Sequence, residues 1–430
     1  MWGLGTGHGY VLNAWRIVRH FILLIALALG ACGMSTDRDG SAARSVFDDP
    51  NLPRWEFDPT PVLEIGGEDE REGYALERVG DAVLLEGKLA VADRGAGEVR
   101  VYSLGGELMF RSGRSGDGPG EYRTITALAS SGDSIMIVWD FLLRRFTHLD
   151  ATSGEVLAMI TADLSSVKGM GLGIKFVGVM GGGRYAFREE RDDWSLRNAP
   201  NAERRDSVRY LVLEPDGKWR GVEWKELGDE VYFRRDENSW GTSPVIFGRT
   251  AQAAAIHSGL VVGATDSLSL TLRGIDGSVL RTVSLPGTEA KVLPEWEKVA
   301  RKRQFEEEDA RVSRMFARIG GADAPAMLAT MKRSLQARYR EIPARRTLPA
   351  FAALEADALG RVWVAESVPP DARTRRWVLL DTLLAPVAVV EMPSDIDILH
   401  IRGDRVVSLA VDELGVQAVR VHRVVPRDRS

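Results

Sequence analysis

The sequence predicts an all-β fold assembled from repeated four-stranded units, and three observations carry that prediction. Short apolar strands closed by turn residues recur about every 45 residues from Trp55 onward, the period of a propeller blade. Hairpins of one type recur along the chain, built on 88–93, 134–140, 183–187, 259–263, 360–364 and 404–407. The ends complement each other: Ile396 to Val425 supplies three strands and stops, while Pro61-Val62-Leu63-Glu64-Ile65 is an orphan of the fourth-strand type seen in Glu107-Leu108-Met109-Phe110. Joining these ends leaves no unpaired edge. The reading is a six-bladed β-propeller over residues 55–425, closed by strands from both termini.

The elements before it concern address. Arg16, Arg19 and His20 precede an uncharged apolar run, Phe21 to Ala31. As a helix that run spans only about 16 Å, half a bilayer core, so it reads as a secretory h-region rather than a membrane anchor. Leu29-Gly30-Ala31-Cys32 follows, and it resembles the lipobox of bacterial lipoproteins. That resemblance implies a signal peptide over 1–31, acylation of Cys32, and an exported chain held at a membrane by lipid. Gly33 after the cysteine, in place of Asp, favours the outer membrane by the same resemblance. Residues 32–54, rich in Ser, Asp, Gly and Ala, read as a flexible tether.

Within the propeller region, Arg114-Ser115-Gly116-Asp117-Gly118-Pro119-Gly120-Glu121-Tyr122 joins the first unit to the second. Its glycines suit a sharp crossing between blades; no Gly-Lys-Ser/Thr ending follows, so it is not a phosphate loop. This linker, with Val91-Ala92-Asp93 and Val99-Arg100-Val101-Tyr102, resembles the NHL-like six-bladed propeller lipoproteins of bacteria, as does Leu348-Pro349-Ala350-Phe351 before Gly360-Arg361-Val362-Trp363-Val364. The resemblance implies the fold and leaves the function open, because that family is united by architecture.

One segment breaks the β rhythm. Pro294 opens a helical pattern to Ile319, with Trp296, Val299, Val312, Phe316 and Ile319 on one side, and a second helix runs from about Pro325 to Tyr339 with Leu328, Met331, Leu335 and Tyr339 on one face. This hairpin, about 294–341, is inserted between the fourth and fifth units. Residues 294–346 carry thirteen Lys/Arg against eight Asp/Glu, a basic element in a chain of net charge −5. The acidic balance excludes a general nucleic-acid binder. A single cysteine excludes a disulfide framework and a cysteine zinc cluster. His148, His257, His400 and His422 have no metal-ligand spacing, and no Gly-x-Ser-x-Gly elbow occurs.

The repeated hairpins each end in a carboxylate: Asp93, Asp140, Glu189, Asp266, Glu366 and Asp412. Two readings stand. The six gather at the channel mouth and, with Arg94 and Arg188 among the adjacent arginines, hold a polar ligand or a divalent cation such as calcium. Alternatively they accept turn amides and stabilise the hairpins. Trp194, Trp219, Trp224 and Trp240 stand as either an aromatic rim for sugar or peptide, or blade core. The expected function is a membrane-anchored, non-catalytic binding or scaffolding module of the cell envelope, with a protein, peptide or carbohydrate partner. The alternative is a divalent-metal-dependent hydrolase or lyase acting at the channel mouth.

Overall fold

The computed structural model describes residues 44–69, 71–163, 174–189, 198–220, 224–235, 240–319 and 323–427. The signal peptide, Cys32 and the tether up to residue 43 lie outside the described residues.

The first two strands belong with the end of the chain. β1 (Arg54–Phe57) is followed by β2 (Leu63–Gly66). The first unit is β3 (Val79–Leu85), β4 (Lys88–Asp93), β5 (Glu98–Ser103) and β6 (Leu108–Ser112); the second is β7 (Ile125–Ser131), β8 (Ile135–Asp140), β9 (Arg145–Asp150) and β10 (Val156–Thr161). The third is β11 (Ile174–Met180), β12 (Arg184–Glu189), β14 (Ser207–Leu213) and β15 (Trp224–Leu227), with β13 (Ala202–Arg204) set inside its middle turn. β16 (Val231–Arg235) and β17 (Trp240–Pro244) come next, then the fourth unit: β18 (Ala251–Ile256), β19 (Gly259–Ala264), β20 (Ser269–Gly274) and β21 (Val279–Ser284). After two helices come the fifth unit, β22 (Ala353–Ala356), β23 (Val362–Ala365), β24 (Thr374–Leu380) and β25 (Pro386–Pro393), and the last, β26 (Asp397–Arg402), β27 (Arg405–Val411) and β28 (Gln417–Pro426).

Each unit is an antiparallel meander in sequence order. The orphan strand does complete the last one: β2 pairs β28 with Leu63 opposite Val421 and Ile65 opposite Val419. β1 adds a join the sequence did not suggest. It runs parallel to β25 and antiparallel to the end of β28, fusing the fifth and last units into one sheet.

The units pack in a closed cycle, each sharing an apolar cluster with the next. Ala90 and Val101 meet Leu128 and Val138; Ile137 and Trp139 meet Tyr185 and Phe187; Ala186 and Tyr210 meet Leu260 and Val262. Leu270 meets Leu354 and Val378, Trp363 and Val390 meet Ile401 and Val424, and Val407 and Val421 meet Leu84 and Leu89 of the first unit. A second strand is therefore covered on both faces, which is why β4 and β8 are buried almost throughout and read as continuous apolar runs rather than alternating ones. The fourth strands β10 and β21 lie at the rim, largely exposed.

The tether expectation needs correction at its C-terminal end. The compact unit begins at Ser45, not at Trp55. Val46 and Phe47 are 2% exposed in the core between the fourth and fifth units, and the Val46 amide donates to the Pro286 carbonyl at 2.8 Å. Burial of these two apolar side chains holds the stretch together with Arg54 and Arg376, which both donate to the Phe47 carbonyl.

Strand direction defines two faces. Turns between second and third strands, and the connections from one unit to the next, share one face, called here the tip face; turns between first and second strands lie on the opposite face. The helices, Pro294–Ile319 and Ala324–Glu341, are carried by the connection from β21 to β22. They therefore belong to the tip face.

Candidate functional site

The expected carboxylate cluster resolves into separate structural roles. Asp93 ends β4 with no exposed surface, and its oxygens accept amides of Glu77 (3.1 Å), Arg78 (3.2 Å), Gly95 (3.0 Å) and Ala96 (3.3 Å). Arg100 pairs with it at 3.0 Å. Asp140 ends β8, equally buried, and accepts amides of Arg123 (2.6 Å), Thr124 (3.0 Å) and Leu143 (2.9 Å). Both clamp the chain that enters their own first strand. In the fourth unit Thr265 does this, its hydroxyl accepting the Thr250 amide at 2.8 Å. Asp93 and Asp140 therefore do not line a channel mouth, because their lone pairs are committed to otherwise orphaned amides.

The other tip residues are paired locally as well. Glu189 binds Arg209, and Glu366 binds Arg376 at 2.5 Å. Asp266 takes both terminal nitrogens of Arg205, at 2.7 and 2.5 Å. Asp412 is exposed and accepts the Leu414 and Val416 amides of its own turn. Arg188 donates to the Ala251 carbonyl (2.8 Å) and to Asp229 (2.5 Å). Arg94 is half-buried in the turn after Asp93, its backbone amide on the Arg78 carbonyl at 2.8 Å. Three of the acids, Asp93, Glu189 and Glu366, find their arginine instead at the third position of the third strand: Arg100, Arg209 and Arg376. Glu98-Val99-Arg100, Ser207-Val208-Arg209 and Thr374-Arg375-Arg376 were the signal that could have revealed them. Among the described residues, no group of three or more His, Cys, Asp or Glu side chains is spaced to hold a metal ion.

The linker 114–122 is likewise self-contained. Glu121 accepts the Gly118 amide (2.8 Å) and Arg114 (2.7 Å), while Arg145 donates to carbonyls of Asp117, Gly118 and Glu121. A side chain at Gly113 would meet the Tyr122 ring at 2.4 Å, which accounts for a glycine there. Trp224 is core, and Trp219 packs edge-on to Phe187 with ring centroids 5.2 Å apart; Trp240 is half-buried in β17, and Trp194 lies outside the described residues.

The charged groups that do converge lie on first strands, and the sequence reading missed them. Asp81 on β3, Glu355 on β22 and Asp397 on β26 sense one another electrostatically, with Lys175 of β11 acting on Glu355. Asp81 accepts amides of Ala82 (2.8 Å) and of Leu128 on β7 (2.7 Å). Burial nevertheless pushes Asp81 up to about 7, with Glu355 and Asp397 adding to the rise. Burial also pushes Glu355 up to about 7, against the pull of Lys175, and raises Asp397. His400 of β26 is driven down to about 4, first by burial and then by Arg402. Its Nδ1 accepts the Leu84 amide at 3.2 Å, so the neutral ring carries its proton on Nε2. No local motif marks these residues, since they come from units distant in sequence.

The tip face also carries an accessory platform. β16 lies between β13 and β17 in a three-stranded sheet. The helices pack beside it around Ile246, Leu335, Tyr339 and Ile342, with Tyr232, Phe247 and Phe305 against them. Arg345 pairs with Glu230 and Glu203 (2.8 Å each), and Arg234 with Glu341 (2.9 Å). Of the expected inward residues, Val312, Phe316, Leu335 and Tyr339 are buried, Trp296, Leu328 and Met331 half-buried, and Val299 is exposed. Met315 and Met327 are exposed with it. Among the described residues no helix is long and apolar enough to cross a membrane.

No family model matches this chain, and no curated protein matches it. Solved structures similar to it include an exported protein from Bacteroides fragilis (9% identity, 87% of this chain and 99% of that one, TM-score 0.41). A member of the DUF4221 family from Bacteroides vulgatus is similar at 10% identity over 86% of this chain and 99% of that one, with a TM-score of 0.45. Virginiamycin B lyase from Staphylococcus aureus is similar at 11% identity over 85% and 99%, with a TM-score of 0.36. The assignment of a closed, propeller-type ring of meanders rests on the pairing and shared cores of this chain itself.

Proposed function

We propose that this protein is an exported lipoprotein whose six-bladed β-propeller, of the NHL-like kind, serves as a non-catalytic binding or scaffolding module in the cell envelope. The observation that carries the binding role is the platform on the tip face. It has its own core, is ion-paired to β13 and β16, and still leaves Val299, Met315 and Met327 exposed at 42%, 44% and 58%. Exposed apolar side chains among basic residues on a rigid support suit docking of an acidic, partly apolar protein surface. A metal-dependent hydrolase or lyase at the hairpin tips has less support, because Asp93 and Asp140 are buried under backbone amides.

Lipid attachment at Cys32 places the module at a membrane. Replacing Cys32 with Ala is expected to move the protein from the membrane to the soluble fraction, and continued membrane fractionation of that variant refutes the anchor. Binding is tested separately by affinity capture from envelope extract, comparing the native chain with an Arg314→Glu/Met327→Asp variant. The expected result is a partner retained by the first and lost by the second; equal recovery refutes the platform as the binding surface.

A further inference from the structure

The face opposite the platform carries a second feature, a cavity of about 320 Å³ at the turns between first and second strands. This is at the lower end of the range of small-molecule sites, about 300–1,000 Å³. Turns of the first, second, fifth and last units line it. Its charged groups divide into those with an ion-pair partner and those without. Arg402 pairs with Asp133 at 2.6 Å, and Asp133 also accepts the Glu86 amide at 3.0 Å. Asp404 has Arg423 at 4.0 Å.

Arg405 and Glu86 remain. Arg405 lies directly between Arg402 and Arg423 in strand register, so three guanidinium groups stand side by side on one face of the sheet. Like charges opposite one another are unfavourable, and the two outer ones have carboxylates to offset this. Among the described residues Arg405 has no ion-pair partner, and its Nε is buried without a hydrogen-bond acceptor. The Glu86 carboxylate, on the turn of the neighbouring first unit, is exposed and has no partner among the described residues either. Leu84 and the 59% exposed Leu359 supply apolar wall beside them.

We infer that this cavity binds a small zwitterion of amino-acid or dipeptide type. Its carboxylate is held by Arg405, its ammonium by Glu86, and its apolar side chain lies against Leu359. A planar guanidinium suits a carboxylate because two parallel N–H groups meet two oxygens. The site is independent of the lipid anchor and of the platform, which stands on the other face.

The test is calorimetry on the full protein with L-leucine and leucyl-leucine, set against isocaproate, which lacks the amine, and isoamylamine, which lacks the carboxylate. Leucine or its dipeptide should bind about tenfold more tightly than either single-charge analogue. Arg405→Gln and Glu86→Gln should each lose about tenfold in affinity, while Lys218→Gln, in the third unit and outside the cavity, should bind as the native protein does. No binding of leucine or leucyl-leucine at millimolar concentration overturns the inference. Isocaproate binding as tightly as leucine also overturns it, marking a plain anion site. Should Arg405→Gln fail to fold, the ligand series on the native protein decides alone.

Discussion

Asp93 and Asp412 look interchangeable in the sequence, each a carboxylate at the tip of a repeated hairpin, yet their surroundings differ completely. Asp93 serves four backbone amides and Arg100 with no exposed surface, whereas Asp412 closes an exposed turn. Asp93→Ala strands those donors and takes one of two carboxylates from the buried Arg100, which keeps Glu98, so it should cost about 3–5 kcal/mol in urea unfolding. Asp412→Ala should cost about 1 kcal/mol or less, because water replaces the lost acceptor. Equal losses at the two positions would show that the tip acids do not divide into clamp and turn. The residue type was legible in the sequence; its partner was not, because the amides of Glu77 and Arg78 reach Asp93 only once the first strand folds beside the second.

The helical insertion was the most legible element. The start at Pro294 and the second helix follow from an apolar stripe and from proline at the first turn. What the stripe faces was not legible: its partner sheet comes from short strands in the irregular region of the third unit and the connection after it, where the repeat pattern is weak. Leu335, 1% exposed, is central to that contact. Leu335→Ala should destabilise the platform by about 3 kcal/mol. Hydrogen exchange is expected to quicken in 294–346 and β16 while the β4 and β8 amides stay protected. Loss of protection throughout the ring would mean that platform and ring fold as one cooperative unit.

At the scale of the whole molecule, closure brings Asp81, Glu355, Asp397 and Lys175 together from four units, and their electrostatics belong to the ring rather than to any strand. The sign of the pH effect follows. Glu355 stands at about 7 in the folded chain against an ordinary 4.5, so what its neutral form contributes is complete below pH 4.5 and lost as pH rises through 7. His400 has the opposite sense: its contribution is complete above 6.5 and lost as pH falls toward 4. Glu355→Gln keeps the neutral form at every pH. Relative to the native chain it should gain about 2 kcal/mol between pH 5 and pH 8, read as a rise in melting temperature. A difference that does not change with pH would place Glu355 in ordinary solvent.

By itself the sequence determined the repeat, the strand that closes the last unit and the helical insertion, since each depends on periodicity or on local turn and cap chemistry. Only the tertiary structure decided which charges meet: Asp93 with the chain entering β3, Glu355 with Lys175, Arg405 beside Arg402 and Arg423. It also decided that Val46 and Phe47 belong to the core and that β1 joins two units. The physical reason is range. Strand and helix patterns arise from neighbours a few residues apart, whereas an ion pair needs two side chains within a few ångströms, and in this ring those come from separate strands and often from different units.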